Sequence, residues 1–421
     1  MTNLRLSLAI LVASFAHVSS QEILLDSFHT SGTRATGMGG ASLALSDDAS
    51  GLFHNPAGLA RISRPEVTTS LFRSSRNSES EFYGTFARDD VTSTRIGGAG
   101  FAFPFPVHRG SLVFGAAYNR RATFDQGIRI DGYDAEVQFH KDGYSRDHGA
   151  LGEFAFGGAV DVAPGLSMGV TGFVWEGDNR FDQVLTQTDT RDAHVDTVQL
   201  FQRFESQDSY EAKGVRVGLA YTHLNGGRLG LTVRSPVRVN VSSRLEDEYV
   251  DEFEDGTDVY EPEVFTDRYT YTLPWEVGVG IGWARNGLTL AADAVYADTR
   301  RTEYRREPSN IAPNVDDFFT QYREHTRFHL GAEYTLPRQP IRIRAGYFHN
   351  PISYIGGDGL PDVDAREERQ GITLGGAAEL QNALSIDIAV VLNQFRQKEG
   401  RREDHVRTTQ WFASLSYRFP R

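Results

Sequence analysis

Cysteine is absent from this chain of 421 residues, and methionine occurs only 3 times. Without thiols there is no disulfide and no thiolate-held metal, so the fold must rest on backbone pairing and burial. The 12 histidines are scattered without metal-ligand spacing, so no metal is expected. Gly37-Met38-Gly39-Gly40 is not a full dinucleotide fingerprint and follows no strand. The acidic stretch 246–265 lacks the spacing of a helix–loop–helix calcium site. No cofactor is therefore expected, and no catalytic constellation emerges, which argues against an enzyme. A net charge of −13 with no basic run argues against nucleic acid as a partner. Hydrophobic residues make up only 39 %, and past the N-terminus no run reaches the roughly 18 apolar residues of a membrane-spanning helix.

What is present is alternation. In Leu229–Val241 the apolar set Leu229, Leu231, Val233, Val237, Val239 and Val241 is interleaved with Gly230, Thr232, Arg234, Arg238 and Asn240. A period of two places the two sets on opposite faces of a strand. With 27 Phe, 17 Tyr and 42 Gly, the composition suits many strands and turns.

The first residues read as a secretory signal, 1–20: Arg5 is basic, Leu6–Ala16 is apolar, and His17–Ser20 ends in small residues. The segment 21–65 is rich in Gly, Ala, Ser and Asp. Beyond it, strands are expected near 66–76, 94–105, 110–124, 148–162, 166–181, 213–224, 229–245, 266–285, 287–304, 322–336, 340–350, 369–381, 383–397 and 405–419. Six connections are short: Pro106–Arg109, Ala163–Gly165, Asn225–Arg228, Asn286, Pro337–Gln339 and Asn382. Seven are longer: 77–93, 125–147, 182–212, 246–265, 305–321, 351–368 and 398–404. Short and long alternate, as they do in an outer-membrane barrel with tight periplasmic turns and long outer loops. The expected fold is an all-β, 14-stranded antiparallel transmembrane β-barrel over 66–421, with both termini periplasmic.

Charges on the lipid face cost about 2–4 kcal/mol at mid-bilayer depth. Arg234, Arg238, Arg342, Arg344, Asp293, Asp387 and Glu333 are therefore expected to face the lumen. Trp175, Trp283, Tyr296, Tyr334, Tyr347, Trp411 and Tyr417 suit aromatic girdles at the membrane surfaces. The last strand, Trp411–Phe419, ends on an aromatic, resembling the signal read by barrel-assembly machinery; Pro420 and Arg421 follow it.

The segment Gly32–Ala60, with Asp47-Asp48-Ala49-Ser50 and then Asn55-Pro56-Ala57-Gly58, resembles the N-terminal plug of the FadL/OmpP1/TodX family. Gly100–Pro106, Arg234-Ser235-Pro236-Val237, Thr272–Gly278, Arg344–Tyr347, Leu360–Asp364 and Leu374–Ala377 resemble later family segments in the same order. The resemblance implies an outer-membrane channel for hydrophobic compounds, above all long-chain fatty acids. It implies loop capture, a pocket beside a plug formed by 21–65, and lateral exit near a kinked third strand. Asn55, Pro56 and Ala57 would then help close the passage; a plain turn leading into the first strand is the alternative. Gly115 is a candidate weak point for lateral opening, since strand glycines often mark bends; an ordinary strand glycine is the alternative. Arg234, Arg238, Arg342 and Arg344 are candidate contacts for a ligand carboxylate, against a merely polar lumen. Outer-membrane lipid, lipopolysaccharide and a hydrophobic small molecule are the partners implied. The acidic loop 246–265 would repel fatty carboxylates unless cations screen it, and Val195, Val198, Phe201 and Phe204 form a weak amphipathic stripe in 182–212. A general diffusion porin, or a barrel serving a secretion or surface-assembly system, are the rival functions.

Overall fold

The computed structural model describes residues 31–260, 262–306, 323–351, 363–364, 369–381, 383–399 and 402–420. The expected signal segment, the turn at Asn382 and most of the connections 305–321 and 351–368 lie outside the described residues.

The sheet begins with β1 (Glu66–Phe82), β2 (Thr85–Phe105), β3 (Leu112–Thr123), β4 (Gln126–Asp134), β5 (Phe139–Ala163), β6 (Leu166–Thr188) and β7 (Thr197–Thr222). It continues through β8 (Gly227–Arg234), β9 (Val237–Phe253), β10 (Gly256–Val259), β11 (Glu263–Leu273), β12 (Glu276–Arg285), β13 (Leu288–Asp298) and β14 (Glu303–Arg306). It ends with β15 (Glu324–Thr335), β16 (Ile341–Asn350), β17 (Val363–Asp364), β18 (Arg369–Leu380), β19 (Leu384–Glu399) and β20 (Arg402–Arg418). β1 pairs with β20 along its whole length, so the sheet closes on itself. Four staves consist of two successive segments each: β3 with β4, β8 with β9, β11 with β12 and β13 with β14. The short β10 and β17 only extend hairpins. The result is a closed antiparallel barrel of fourteen staves.

At one end the turns are tight. Asn286 and Gly287 both take positive φ, 52° and 82°, the backbone of a two-residue hairpin that Asn-Gly favours. At the other end, five connections expected as loops are largely strand among the described residues. The stretch 77–93 is the end of β1 and the start of β2, turning at Tyr83-Gly84, and 398–404 is likewise a tight hairpin of β19 and β20. The Val195–Phe204 stripe, whose threefold spacing suggested a helix, enters β7 at Thr197. With β7 running 26 residues against the about 9–11 that cross a membrane, the barrel projects well past its apolar band. Charges lie on both faces of these projections, so the alternation that betrayed the lower strands is missing there.

The outward face of the lower barrel is apolar, with Ile96, Phe101, Phe156, Val170, Ile281, Ile343 and Ile388 all exposed. Trp283, Tyr296, Tyr334, Tyr347, Trp411 and Tyr417 also point outward, as a girdle requires. Trp175 does not: it is 2 % exposed and lies on the inner wall.

The single stripe expected along Leu229–Val241 also changes sides. Leu229 and Leu231 face outward, whereas Val237, Val239 and Val241 are buried inside. Pro236 cannot donate to a ladder, and pairing with β7 slips by one residue here: Arg234 opposes Arg216, but Arg238 opposes Lys213. A one-residue slip exchanges faces. Pro274 interrupts the neighbouring stave at the same level, and Tyr269, Tyr271 and Leu273 turn inward beyond it while Val277 and Ile281 face out. Arg238 is consequently on the exposed outer face, not in the lumen. Arg234, Arg344, Asp293, Asp387 and Glu333 are buried inside, and Arg342 is half-buried on the same face as Arg344.

Candidate functional site

Residues 31–62 lie almost wholly buried against inward-facing positions of the barrel wall. The segment has little regular structure of its own: one α-helical turn, Thr33–Gly37, and two short 3-10 helices, Ala49–Leu52 and Pro56–Arg61. The wall makes room with glycine. A methyl group on Gly346 would collide with the Gly39 backbone, on Gly230 with the Leu43 carbonyl, and on Gly169 with Pro56. These glycines belong to β16, β8 and β6, so the segment is seated at widely separated points of the circumference.

Side chains of the wall complete its hydrogen bonds, which a helix-poor buried segment cannot satisfy alone. The Asp293 carboxylate accepts the Ser42 and Leu43 amides at 2.6 and 2.8 Å. Thr373 accepts the Gly39 amide at 2.9 Å and donates to the Gly37 carbonyl at 3.1 Å. Glu66 accepts the Ala49 amide at 2.8 Å, and Arg216 donates to the Leu52 carbonyl at 2.7 Å.

Asn55 is fully buried and caps the second 3-10 helix: its Oδ1 accepts the Ala57 amide at 3.1 Å. Its Nδ2 donates to the Leu43 carbonyl at 2.8 Å and to Leu219 of β7 at 3.0 Å. One amide thus ties two parts of the segment to each other and to the wall. Pro56 opens the helix, where its missing N–H is harmless. Ala57 is 0 % exposed and leaves no space for a larger side chain.

Charge holds the opposite side. Arg34 forks onto Glu333 at 3.1 and 2.8 Å and reaches Asp47 at 2.6 Å. Glu333 also accepts from Arg344 at 2.7 Å, and Arg344 donates to Asp387 at 2.6 Å. Burial alone would lower the Arg34 pKa, but Asp47 and Glu333 outweigh it and keep the guanidinium charged. Burial likewise opposes ionisation of Asp47, and Arg34 overrides it, holding the carboxylate below its ordinary range.

Between the segment and the facing wall lies a polar cavity of about 110 Å³, lined by His54, Arg121, Arg216, Arg234, Glu276 and Arg327 among others. Arg234 is 5 % exposed, sits 3.9 Å from Glu276, and leaves Nε and Nη1 unbonded. Arg342 and Arg344 are not in this cavity: Arg344 is spent on Glu333 and Asp387, and Arg342 pairs with Glu379. Arg121, Arg216, Glu276 and Arg327 were not singled out from the sequence. Their signal was a charge at an inward position of an otherwise apolar strand, which is also how any polar lumen looks.

Along β6 from Gly169 at Pro56, the inward residues are Thr171, Phe173 and Trp175; back along β7 from Gly218 at Asn55, they are Arg216, Gly214, Ala212 and then Tyr210. Phe173, Trp175 and Tyr210 join Phe124, Val239, Tyr269 and Tyr271 in one buried cluster on the inner wall. Arg121 lies 4.0 Å over the Trp175 ring, and Trp175 donates to Glu153 at 3.0 Å, so the polar cavity abuts this apolar surface.

Among the described residues, the ladder between β2 and the β3–β4 stave is incomplete. β2 and β3 are laddered only from Phe105↔Leu112 to Gly98↔Asn119, and β4 is laddered only with β5. A slit therefore runs from Gly98 and Asn119 toward the long-hairpin end. A bulge sits on each lip, at Gly97 in β2 and at Arg121 in β3. Gly115 is not at this break: it is paired with Ala102 on one side and Gly157 on the other, and faces Leu52 of the N-terminal segment. On the outer surface, an apolar groove of about 630 Å³ lies beside the slit, flanked by Val67, Phe101, Phe154, Phe156 and Val174.

No curated protein sequence matches the chain. Among solved structures, a Pseudomonas aeruginosa FadL homologue superposes with a TM-score of 0.64 at 12 % identity, over 94 % of this chain and 100 % of that one. The P. putida toluene transporter TodX gives 0.65 at 14 % identity, covering 92 % and 98 %. The Ralstonia pickettii toluene transporter TbuX gives 0.60 at 14 %, again over 92 % and 98 %. At such identity the likeness speaks for the fold. The model of the outer membrane protein transport protein family (OMPP1/FadL/TodX) matches residues 9–415, and the chain therefore belongs to this family of outer-membrane channels for hydrophobic compounds, which are not enzymes.

Proposed function

We propose that the protein carries out passive uptake of long-chain fatty acids across the outer membrane. In this reading the long hairpins face the outside and capture the ligand. Residues 21–65 act as the plug, and the short turns and both termini are periplasmic. The ligand rests beside the plug and leaves sideways through the β2–β3 slit into the membrane. The observation that carries the reading is the continuous inner surface from Phe124, Tyr210 and Trp175 to the arginine cavity beside Asn55. An acyl chain suits the aromatic wall, and a carboxylate suits Arg234, whose guanidinium is only loosely paired. A general diffusion porin would need an open lumen, and here the segment 31–62 occupies it. The monoaromatic compounds named for TodX and TbuX are the competing substrates.

The test is growth on a long-chain fatty acid of a bacterium lacking its own outer-membrane transporter, with wild-type protein and Asn55→Ala at matched surface levels. Rescue by the wild type and weaker rescue by the variant are expected. A correctly folded surface protein that does not rescue, but that admits radiolabelled toluene, would assign it to aromatic hydrocarbons instead.

A further inference from the structure

We propose that the Arg95–Asp125 ion pair is a clasp that holds the lateral slit shut, so that exit requires this pair to part. The inference rests on the lateral-exit reading above. Arg95 on β2 donates to Asp125 through Nε at 3.1 Å and Nη2 at 2.8 Å, a two-pronged contact across the slit. The Asp125 side chain is only 2 % exposed, with Arg95 at 38 %. Further links cross the seam: Arg120 of β3 to the Ile96 carbonyl at 3.3 Å, and Arg146 of β5 to Asp89 at 3.0 and 3.3 Å, a pair exposed to 48 and 10 %. The more solvated a contact, the less it contributes, so the Arg95–Asp125 pair carries the larger share of closure.

The attachment is lopsided. Asp125 is also held from its own side, by the Thr123 hydroxyl at 3.0 Å and the Gly149 amide at 3.4 Å, with His148 3.8 Å away. From β2, Arg95 grips it with two prongs and supplies the charge, and the Ser93 hydroxyl lies against it as well. Beyond Gly98 β2 is laddered to β1 alone, and the Gly97 bulge supplies a point at which that lip can bend. The residues behind the clasp are apolar: Ala122 and Phe124 are fully buried in the inner cluster. The residues in front, Ile96 and Phe154, face outward beside the 630 Å³ groove. A polar lock thus separates two apolar surfaces at the point where the backbone leaves them unsealed.

Because the chain has no cysteine, Ala122→Cys gives a single reporter behind the slit. The protein is reconstituted in phospholipid vesicles and labelled with a maleimide that partitions into the bilayer. Arg95→Gln is expected to raise the labelling rate by about ten- to a hundredfold, the range for losing a charge-assisted hydrogen bond. Asp89→Asn, which cuts the outer exposed link, is expected to leave it unchanged. Heat-modifiable gel mobility checks that every variant is a folded barrel. Equal rates in wild type and Arg95→Gln would overturn the clasp, and equal acceleration by Asp89→Asn would overturn it in favour of general loosening. No ligand enters the assay, so failure of the fatty-acid reading leaves its outcome untouched.

Discussion

Glu333→Gln should loosen the buried N-terminal segment without unfolding the barrel. Glu333 lies between two guanidinium groups, 2.8 Å from Arg34 and 2.7 Å from Arg344, with side-chain exposure of only 5 %. Arg344 keeps Asp387 in the variant, and Arg34 keeps Asp47 as long as the segment is docked. What the variant loses is the fork between Arg34 and the wall. Hydrogen bonds to charged groups contribute about 1.5–3 kcal/mol net. The two-pronged, largely buried contact belongs at the upper end, so we expect about 2–3 kcal/mol. At about 1.4 kcal/mol per tenfold, the undocked fraction should rise roughly thirty- to a hundredfold. Thr36 is fully buried in the docked segment, so Thr36→Cys reacts with a water-soluble maleimide only from the undocked state. The labelling rate then reads the docking equilibrium directly. Arg300→Gln, at a half-exposed pair, should change it by less than about twofold. Identical Thr36→Cys labelling in wild-type and Glu333→Gln backgrounds would refute the reasoning.

The same reporter serves three further predictions. Asn55→Ala strands the Leu43 and Leu219 carbonyls and the Ala57 amide, so docking should weaken by about 1–3 kcal/mol, visible as faster labelling. Gly346→Val places a side chain where Gly39 sits and should prevent seating altogether, while the heat-modifiable barrel band persists; a docked segment in that variant would mean the close approach is wrong. Asp47 is ionised more readily in the docked state than in the free chain, so its contribution is present above the ordinary carboxylate range and fades as pH falls through its depressed one. Thiolate loss slows any cysteine labelling in acid, so the rate is divided by that of a permanently exposed cysteine at the same pH, with a pyridyl disulfide that reacts in acid; this ratio should rise near about pH 3 relative to pH 7, and Asp47→Asn should flatten that rise.

Outer-membrane character was legible before any coordinates, because the cost of placing charge in lipid forces a period of two on every spanning strand. Arg344 and Asp387 were placed inward correctly for that reason: nothing interrupts β16 or β19, and both side chains are buried inside. Asn55-Pro56 was likewise visible as a turn, since the proline and the capping amide act within a few residues of each other.

What escaped was whatever depends on register between strands. Pro236 and Pro274 announce an interruption, but only the one-residue slip against β7 decides that Val237, Val239 and Val241 face in and Arg238 faces out. Trp175 has the same composition-level signature as Trp411, yet one lines the lumen and the other the lipid. The slit is a missing ladder between β2 beyond Gly98 and β4, and no local residue encodes an absent partner; Gly115 looked weak in isolation and is firmly paired on both sides. The amino-acid sequence by itself determined that the chain crosses a membrane as a barrel, through a hydrophobic period set by the strand backbone. The tertiary structure alone decided which charges bolt the N-terminal segment to the wall and where the β2 ladder stops, because both depend on residues far apart in the chain, such as Arg34 and Glu333, meeting.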